Sequence, residues 1–350
     1  MTNRGGASTP LVELTLTRVR EFIREPEALF WTFLFPILIS VALAVAFPGG
    51  RTTPVIVAIA PGPAADSVRA ALASAPDVTL RGVPASPDAE ARALREGNVH
   101  LIVVATSPPT YRFDPARAES RVARLVVDDV LKRAGGRRDP WTARDVPVQV
   151  AGSRYVDWLI PGLVALNVMG TGMWGLGFSI VSARMKNLLK RLAASPMRRS
   201  DYLLAQLLAR MCFLAPEMIV PFGFGVLVLG MPIRGSLLSV AIVGISGALA
   251  FGAIGLLMAS RARTIEAISG MLNLAMLPMW ILSGVFFSAS NFPDAVQPVI
   301  QALPLTALAD ALRAVVLDGA SVYAVRGELL LLAAWTVVPF ALALRLFRWR

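Results

Sequence analysis

Residues 235–260 read GSLLSVAIVGISGALAFGAIGLLMAS, without a single Asp, Glu, Lys or Arg. An α-helix rises about 1.5 Å per residue, so about 20 apolar residues cross the hydrocarbon layer of a bilayer. The stretch is long enough to cross once. Working outward, Leu29–Phe47, Trp158–Ala183 and Ala267–Pro293 are also free of formal charge, Met211–Ile233 carries only Glu217, and Leu329–Leu344 is clean but shorter. Six such segments predict an α-helical polytopic membrane protein with six transmembrane helices. The composition agrees. The 350-residue chain is 55% hydrophobic and 16% charged, where soluble domains carry about 25% charge. An ordinary soluble enzyme is excluded.

The net charge of +11 raises nucleic acid as a partner, and the placement of the charge answers it. Taking the segments as alternating spans, Arg4, Arg18, Arg20 and Arg24 precede the first. Arg184, Lys186, Lys190, Arg191, Arg198, Arg199 and Arg210 lie between the second and third. Arg261 and Arg263 follow the fourth, and Arg345, Arg348 and Arg350 follow the sixth. The short connections on the opposite side hold only Arg234, Arg313 and Arg326. Short loops rich in Lys and Arg stay in the cytoplasm, so both termini are expected there. The charge is read as topology and attraction to anionic lipid, with no nucleic acid. Residues 48–155 carry many arginines on the outer side, but long loops translocate largely regardless of charge.

Four regions follow. Residues 1–28 are expected to hold an amphipathic helix in the headgroup plane, with Leu11, Leu14, Val19, Phe22 and Ile23 on one face. Residues 29–47 form the first span. Its apolar run is longer than the 7–15 residues usual in a cleaved signal, and Glu13, Glu21, Glu25 and Glu27 precede it, so it reads as uncleaved. Residues 48–155 read as an inserted extracytoplasmic α/β domain. It has strands at Val55–Ala60, Val78–Val83, His100–Ala105, Tyr111–Phe113 and Val146–Val150. Its helices are Ala64–Ala75, Asp88–Glu96 and Ala118–Arg133, the last with Val122, Leu125, Val126 and Val130 inward. Without a Gly-rich phosphate loop or convergent carboxylates, it reads as a recognition or gating domain. Residues 156–350 hold spans two to six. Within 290–318, Asn291–Leu303 and Thr306–Leu317 look helical on either side of Pro304, and the uncharged run Ala295–Ala309, only 15 residues, suits outer re-entrant helices better than a seventh span.

Few motifs carry chemistry. No glycine precedes any of the three lysines, so the chain cannot build a P-loop. His100 and Cys212 each stand alone, which argues against metal sites and disulfides within the chain. Gly244-Ile245-Ser246-Gly247 matches the nucleophile motif of rhomboid proteases superficially, but a serine nucleophile needs a base and no span holds a histidine. Small residues at Gly244, Gly247, Ala248, Gly252 and Gly255 predict a tight helix–helix seam. Glu217 lies well inside the third span, in Ala215-Pro216-Glu217-Met218-Ile219-Val220-Pro221. An intramembrane carboxylate is a functional candidate; a structural partner to groups freed by Pro221 is the other reading. Asn167 and Asn273 are milder cases.

The segment Ser182–Ser200, SARMKNLLKRLAASPMRRS, is a short basic helix ended by Ser195-Pro196. It resembles the coupling-helix region of bacterial ABC exporter permeases of the second type, whose core pattern is met by Leu189, Leu192, Ser195 and Pro196. Arg20–Pro26 with Phe30-Trp31 and Phe35-Pro36 resembles that family's entry into the first span. Leu282-Ser283-Gly284-Val285-Phe286-Phe287, Leu303-Pro304-Leu305-Thr306 and Asp310-Ala311-Leu312-Arg313 resemble its fifth span and outer helices. Asn187 and Lys190 stand where family members often carry Gly and Glu. The resemblance implies a permease subunit in a bacterial inner membrane, without a cofactor of its own. ATP and Mg would sit on a separate ABC ATP-binding subunit. A second permease subunit, as a homodimer in preference to a heterodimer, and membrane lipid are the other implied partners. It implies coupling through residues 184–199, with Arg184, Lys186, Leu189, Lys190, Arg191, Leu192, Ser195, Pro196 and Arg198 as contacts. It also implies a pathway lined by the second and fifth spans. Candidate pathway residues are Asn167, Met169, Met173, Trp174, Glu217, Asn273, Met276 and Phe286. The expected cargo of this exporter is an amphiphile such as a drug or lipid. The competing reading is a non-transporting membrane anchor or sensor whose outer domain binds a ligand.

Overall fold

The computed structural model describes residues 16–17, 20, 23–24, 26–46, 54–82, 86–138, 154–188, 199–286 and 288–347. The chain divides into two units, residues 50–148 and the remainder.

The larger unit is helical. Among the described residues, five helices are long and apolar enough to cross a membrane: Tyr155–Met185, Ala205–Leu227, Leu237–Ala259, Ile265–Leu282 and Arg326–Leu346. They correspond to expected spans two to six. The apolar helix Phe30–Val45 is shorter; Phe47, the last residue of the expected first span, lies outside the described residues. The helices Asp294–Ala302 and Pro304–Val316 meet at 83°. Proline explains that bend. Leu303 is extended, as a residue before proline prefers, and Pro304 opens the next helix, where its missing N–H costs nothing.

One boundary differs from expectation. Arg210 was expected in the connection before the third span. Instead a single helix runs from Arg199 to Leu227, and Arg210 is buried inside it, 5% exposed. Its charge is met by Glu217 on the same helix, which allows a guanidinium where an unpaired one would be prohibitive.

The fourth span, Leu237–Ala259, is the centre of the bundle. Of its most apolar window 67% is buried, against 22% for the fifth span and 17% for the sixth. Ser236 caps its first turn by accepting from the Leu238 N–H at 3.2 Å. Glycines then set the packing distance. A Cβ on Gly255 would lie 2.9 Å from the Gly172 carbonyl oxygen and the Met173 Cα, and one on Gly172 would lie 2.9 Å from the Phe251 Cβ. The second and fourth spans therefore touch nearly backbone to backbone, as small residues permit in membranes. On other faces Gly244 receives Met218 of the third span and Gly247 receives Leu308 of the bent pair.

The second unit holds a four-stranded sheet in the order β2-β1-β3-β4, with β1 Val55–Ala60, β2 Val78–Arg81, β3 Leu101–Val104 and β4 Thr110–Arg112. The first three are parallel and β4 is antiparallel. The central strand VIVAIA is continuously apolar, as expected of a strand covered on both faces. One face packs on α1 (Ala65–Ala73) and α3 (Ala118–Ala134), through Val68, Leu72, Ala123 and Val127. The other packs on Ala93 and Leu94 of α2 (Pro87–Glu96). The inward face of α3 matches expectation in part: Val126 and Val130 pack on the core, but Val122 and Leu125 are 51% and 64% exposed, and the fully buried positions are Ser120, Ala123 and Val127. Small side chains let this helix lie close to the sheet. The expected strand Val146–Val150 lies outside the described residues.

Candidate functional site

The second span is interrupted at mid-length. Helix Tyr155–Gly170 passes into a π-turn, Thr171–Gly175, and resumes as Leu176–Met185. Such turns leave backbone carbonyls in need of partners and recur at functional sites. The Thr171 hydroxyl sits between two acceptors, the Asn167 carbonyl at 2.8 Å and Glu217 Oε2 at 3.2 Å. Its one proton serves one of them at a time. A second π-turn, Phe30–Leu34, faces it: Asn167 Nδ2 donates to the Thr32 carbonyl at 2.9 Å.

Glu217 and Arg210 are seven residues apart on the third span, two helical turns along one face. Helical side chains lean toward the N-terminus, so the carboxylate leans back toward the guanidinium. Arg210 Nη2 meets Glu217 Oε2 at 2.6 Å, with the side chains 5% and 1% exposed. The same nitrogen donates to the Val168 carbonyl of the second span at 3.3 Å. Pro216 and Pro221 flank Glu217 inside the helix, and each removes an N–H from the ladder. Among the described residues, Glu217 Oε1 and Arg210 Nε and Nη1 have no hydrogen-bond partner. The pair thus joins the second and third spans at the π-turn, with spare hydrogen-bonding capacity deep in the bundle.

At the Met185 end of the second span, Arg184 turns its guanidinium onto the end of the fourth. Nη1 donates to the carbonyls of Ala259 (2.8 Å) and Ala262, and Nη2 to that of Ser260 (3.1 Å). The last carbonyls of a helix lack intrahelical partners, and a cation there complements the helix dipole. The guanidinium also lies 5.5 Å from the centre of the Phe347 ring. Asn187, at φ 56°, then ends the helix in the left-handed conformation that asparagine tolerates.

At the opposite end, Arg313 of Pro304–Val316 gathers three segments. Nη2 donates to the carbonyls of Gly284 (2.8 Å) and Val285 (3.3 Å), just past the fifth span, and Nε donates to the Trp158 carbonyl at 3.2 Å. Nη1 pairs with Asp310 at 3.1 Å, and the guanidinium lies 3.7 Å from the centre of the Trp158 ring. Gly284 sits at φ +73°, a backbone that favours glycine. Nearby, the Tyr155 hydroxyl donates to the Phe286 carbonyl at 2.8 Å. Asp157, 1% exposed, takes Arg154 in a fork at 2.7 and 2.9 Å, and that bond holds the Arg154 pKa above its ordinary value.

Of the candidate pathway residues, Asn167 and Glu217 are brought together through Thr171. Met169, Met173 and Met276 are buried in the bundle core. Trp174 is half-buried against Phe178, ring centres 4.7 Å apart. Asn273 is exposed on the fifth span, and Phe286 is half-buried. Of the candidate coupling residues, Arg184 is half-buried and Lys186 exposed, while Leu189, Lys190, Arg191, Leu192, Ser195, Pro196 and Arg198 lie outside the described residues. Sequence reasoning missed Arg210, Thr171 and Arg313. The i, i+7 spacing of Arg210 and Glu217 was the available signal for the first. Among the described residues, no three His, Cys, Asp or Glu side chains are grouped to hold a metal.

Long, charge-poor helices packed around a glycine-lined centre define a multi-pass membrane protein. The family model described as ABC-2 type transporter matches residues 128–317, more than half of the chain, and the chain belongs to that family. It is a membrane permease of an ABC transporter, a transport component of a kind that pairs with an ATP-binding subunit. Searches of curated proteins and of solved structures found no match.

Proposed function

We propose that the chain is the permease subunit of an ATP-driven exporter that carries an amphiphile outward. The observation that carries this reading is the ABC-2 type transporter match across residues 128–317, on a chain whose sequence contains no P-loop of its own. The energy must then come from a separate ATP-binding subunit. Residues 184–199 are the part that subunit grips, through Lys186, Lys190, Arg191 and Arg198 around Leu189, Leu192 and Ser195-Pro196. The asymmetry of basic residues supports cytoplasmic termini and a bacterial inner-membrane location. On that topology residues 48–155 and the bent helix pair lie outside. The permease works as a dimer of identical subunits, with the second and fifth spans beside the pathway. A large outer domain favours a drug-like or lipid cargo.

The test is assembly followed by transport. The full chain is co-expressed with an ABC ATP-binding subunit from the same genome and purified through a tag on that subunit. Co-purification in stoichiometric amount, with ATP-dependent movement of a fluorescent phospholipid or cationic dye in vesicles, supports the reading. A Ser195→Ala/Pro196→Ala variant that still folds is expected to lose movement. Failure of the two subunits to associate, or labelling of residues 184–199 only from outside the cell, refutes it.

A further inference from the structure

Both ends of the fourth span are fastened, and to different things. At its Ala259 end, Arg184 holds the carbonyls of Ala259, Ser260 and Ala262, and Arg184 stands at the root of the segment that follows the second span. At its Leu237 end, the Arg234 N–H donates to the Val316 carbonyl at 2.9 Å. Gly235 lies against the Val315 carbonyl, and at mid-span Gly247 is filled by the Leu308 side chain. All three contacts are with the second helix of the bent pair, Pro304–Val316. Between these ends the span is closely packed, with Gly255 and Phe251 against the Gly172–Met173 backbone and Gly244 against Met218. A helix is stiff along its axis. Packed interiors transmit displacement rather than absorb it.

We infer that the fourth span is a push-rod, and that Arg184 is the positioning residue joining it to the coupling segment. On the function proposed above, on which this rests, the ATP-binding subunit moves residues 186–199. The second span alone would deliver that motion to its own π-turn at Thr171–Gly175, where the hydrogen-bond ladder changes register. The Arg184 fork gives the motion a route around that turn. It carries the motion onto the continuous helix Leu237–Ala259 and so to the bent pair at the far end. Arginine suits this task because one planar fork reaches several carbonyls, whereas a lysine offers a point charge.

The test follows the far end directly and needs no cargo. The complex with the ATP-binding subunit is purified in a Cys212→Ser background, which removes the only cysteine. Ser321→Cys then places a reporter in the exposed connection after the bent pair. Labelling by a polar maleimide is compared without nucleotide and after vanadate trapping, in vesicles of phosphatidylethanolamine and phosphatidylglycerol, and expressed per permease chain, with ATP hydrolysis before trapping measured separately. With Arg184 intact, a change of about threefold or more is expected, the scale of an ordinary allosteric coupling. Arg184→Ala is expected to reduce the change to under about 1.3-fold and Arg184→Lys to an intermediate value. Gly247→Val, which wedges Leu308 of the bent pair away from the span, is expected to abolish the response while ATP hydrolysis continues. If Arg184→Ala does not fold, Arg184→Lys and Gly247→Val decide. A full response in either, at normal hydrolysis, overturns the push-rod. No complex or no hydrolysis with Arg184 intact refutes the permease reading instead.

Discussion

Replacing Glu217 by Gln removes one charge from the Arg210–Glu217 pair and changes almost nothing in shape. At 2.6 Å, with the effective dielectric of about 20 that serves for buried protein sites, the attraction is worth about 6 kcal/mol. Glutamine keeps a carbonyl that still accepts from Arg210, returning about 1–2 kcal/mol. The remainder, about 4 kcal/mol, falls within the range of about 3–5 measured when one partner of a buried pair is removed. The loss is large because Arg210 is then left charged and 5% exposed. Removing both charges together, as Arg210→Met/Glu217→Leu, is expected to fall within about 1 kcal/mol of the parent, since apolar replacement of a buried pair is often neutral. The assay is reversible unfolding in mixed micelles by tryptophan fluorescence, with the two singles and the double forming a cycle. A Glu217→Gln penalty under about 1 kcal/mol, or a double variant as unstable as the sum of its singles, refutes the pairing as the reason for the buried charges.

Arg313→Lys is expected to lower stability by about 2 kcal/mol, because an ammonium cannot reach Gly284, Val285 and Trp158 together while lying over the indole; thermal melting of the detergent-solubilised chain reads it. Gly255→Ala puts a Cβ 2.9 Å from the Gly172 oxygen and is expected to cost about 1–3 kcal/mol by overpacking. Gly270→Ala meets nothing within 4 Å and is expected to melt within about 1 °C of the parent, at most slightly higher, since alanine favours helix. In the second unit, burial first, then the Asp128 charge and its hydrogen bond at 3.2 Å, push the Tyr111 phenol up to about 12. Because its folded value exceeds the unfolded one, this contribution to stability is full below pH about 10 and lost as the pH rises through about 12. The tyrosinate absorbance removed by Tyr111→Phe should titrate in that upper range, and a midpoint near 10 contradicts the burial.

The spans were legible because hydrocarbon imposes a simple rule, length without charge, and the chain obeys it from Trp158 onward. The central strand Val55–Ala60 was legible for a related reason, an unbroken apolar run with a Pro-Gly-Pro stop behind it. Legibility failed where a side chain answers to a partner distant in sequence. Arg210 looks like a loop cation until Glu217 is seen on the same face two turns on. Val122 and Leu125 look like part of one stripe with Val126 and Val130 because periodicity alone marks apolar residues, whereas the fully buried positions are Ser120, Ala123 and Val127. The polar site was half legible. Glu217 and Asn167 stood out as polar residues in apolar runs, but nothing in the sequence announced the π-turn that brings Thr171 between them.

The basic residues of the helical unit divide by task, and the division explains their chemistry. Its only lysines, Lys186 and Lys190, lie in the segment read as the coupling helix, where a flexible hydrated charge is sufficient. The three arginines that turn inward each serve carbonyl oxygens: Arg184 three at one end of the bundle, Arg210 one beside its carboxylate, and Arg313 three at the other end. Most of these oxygens lie at or just past the C-terminal ends of helices, where ladder partners are missing. In a membrane such groups are costly to leave unpaired, and a fork with five donors satisfies several at once. Counting these arginines as topology signals therefore overstates the positive-inside asymmetry by one, since Arg184 and Arg210 leave the basic side and Arg313 leaves the other, and its sign is unchanged. The same accounting predicts which substitutions are conservative. Lysine is expected to replace Arg261 or Arg263 with little change in yield or melting, but not Arg184 or Arg313, and a panel of single Arg→Lys variants melted side by side distinguishes charge that sets topology from charge that holds helices together.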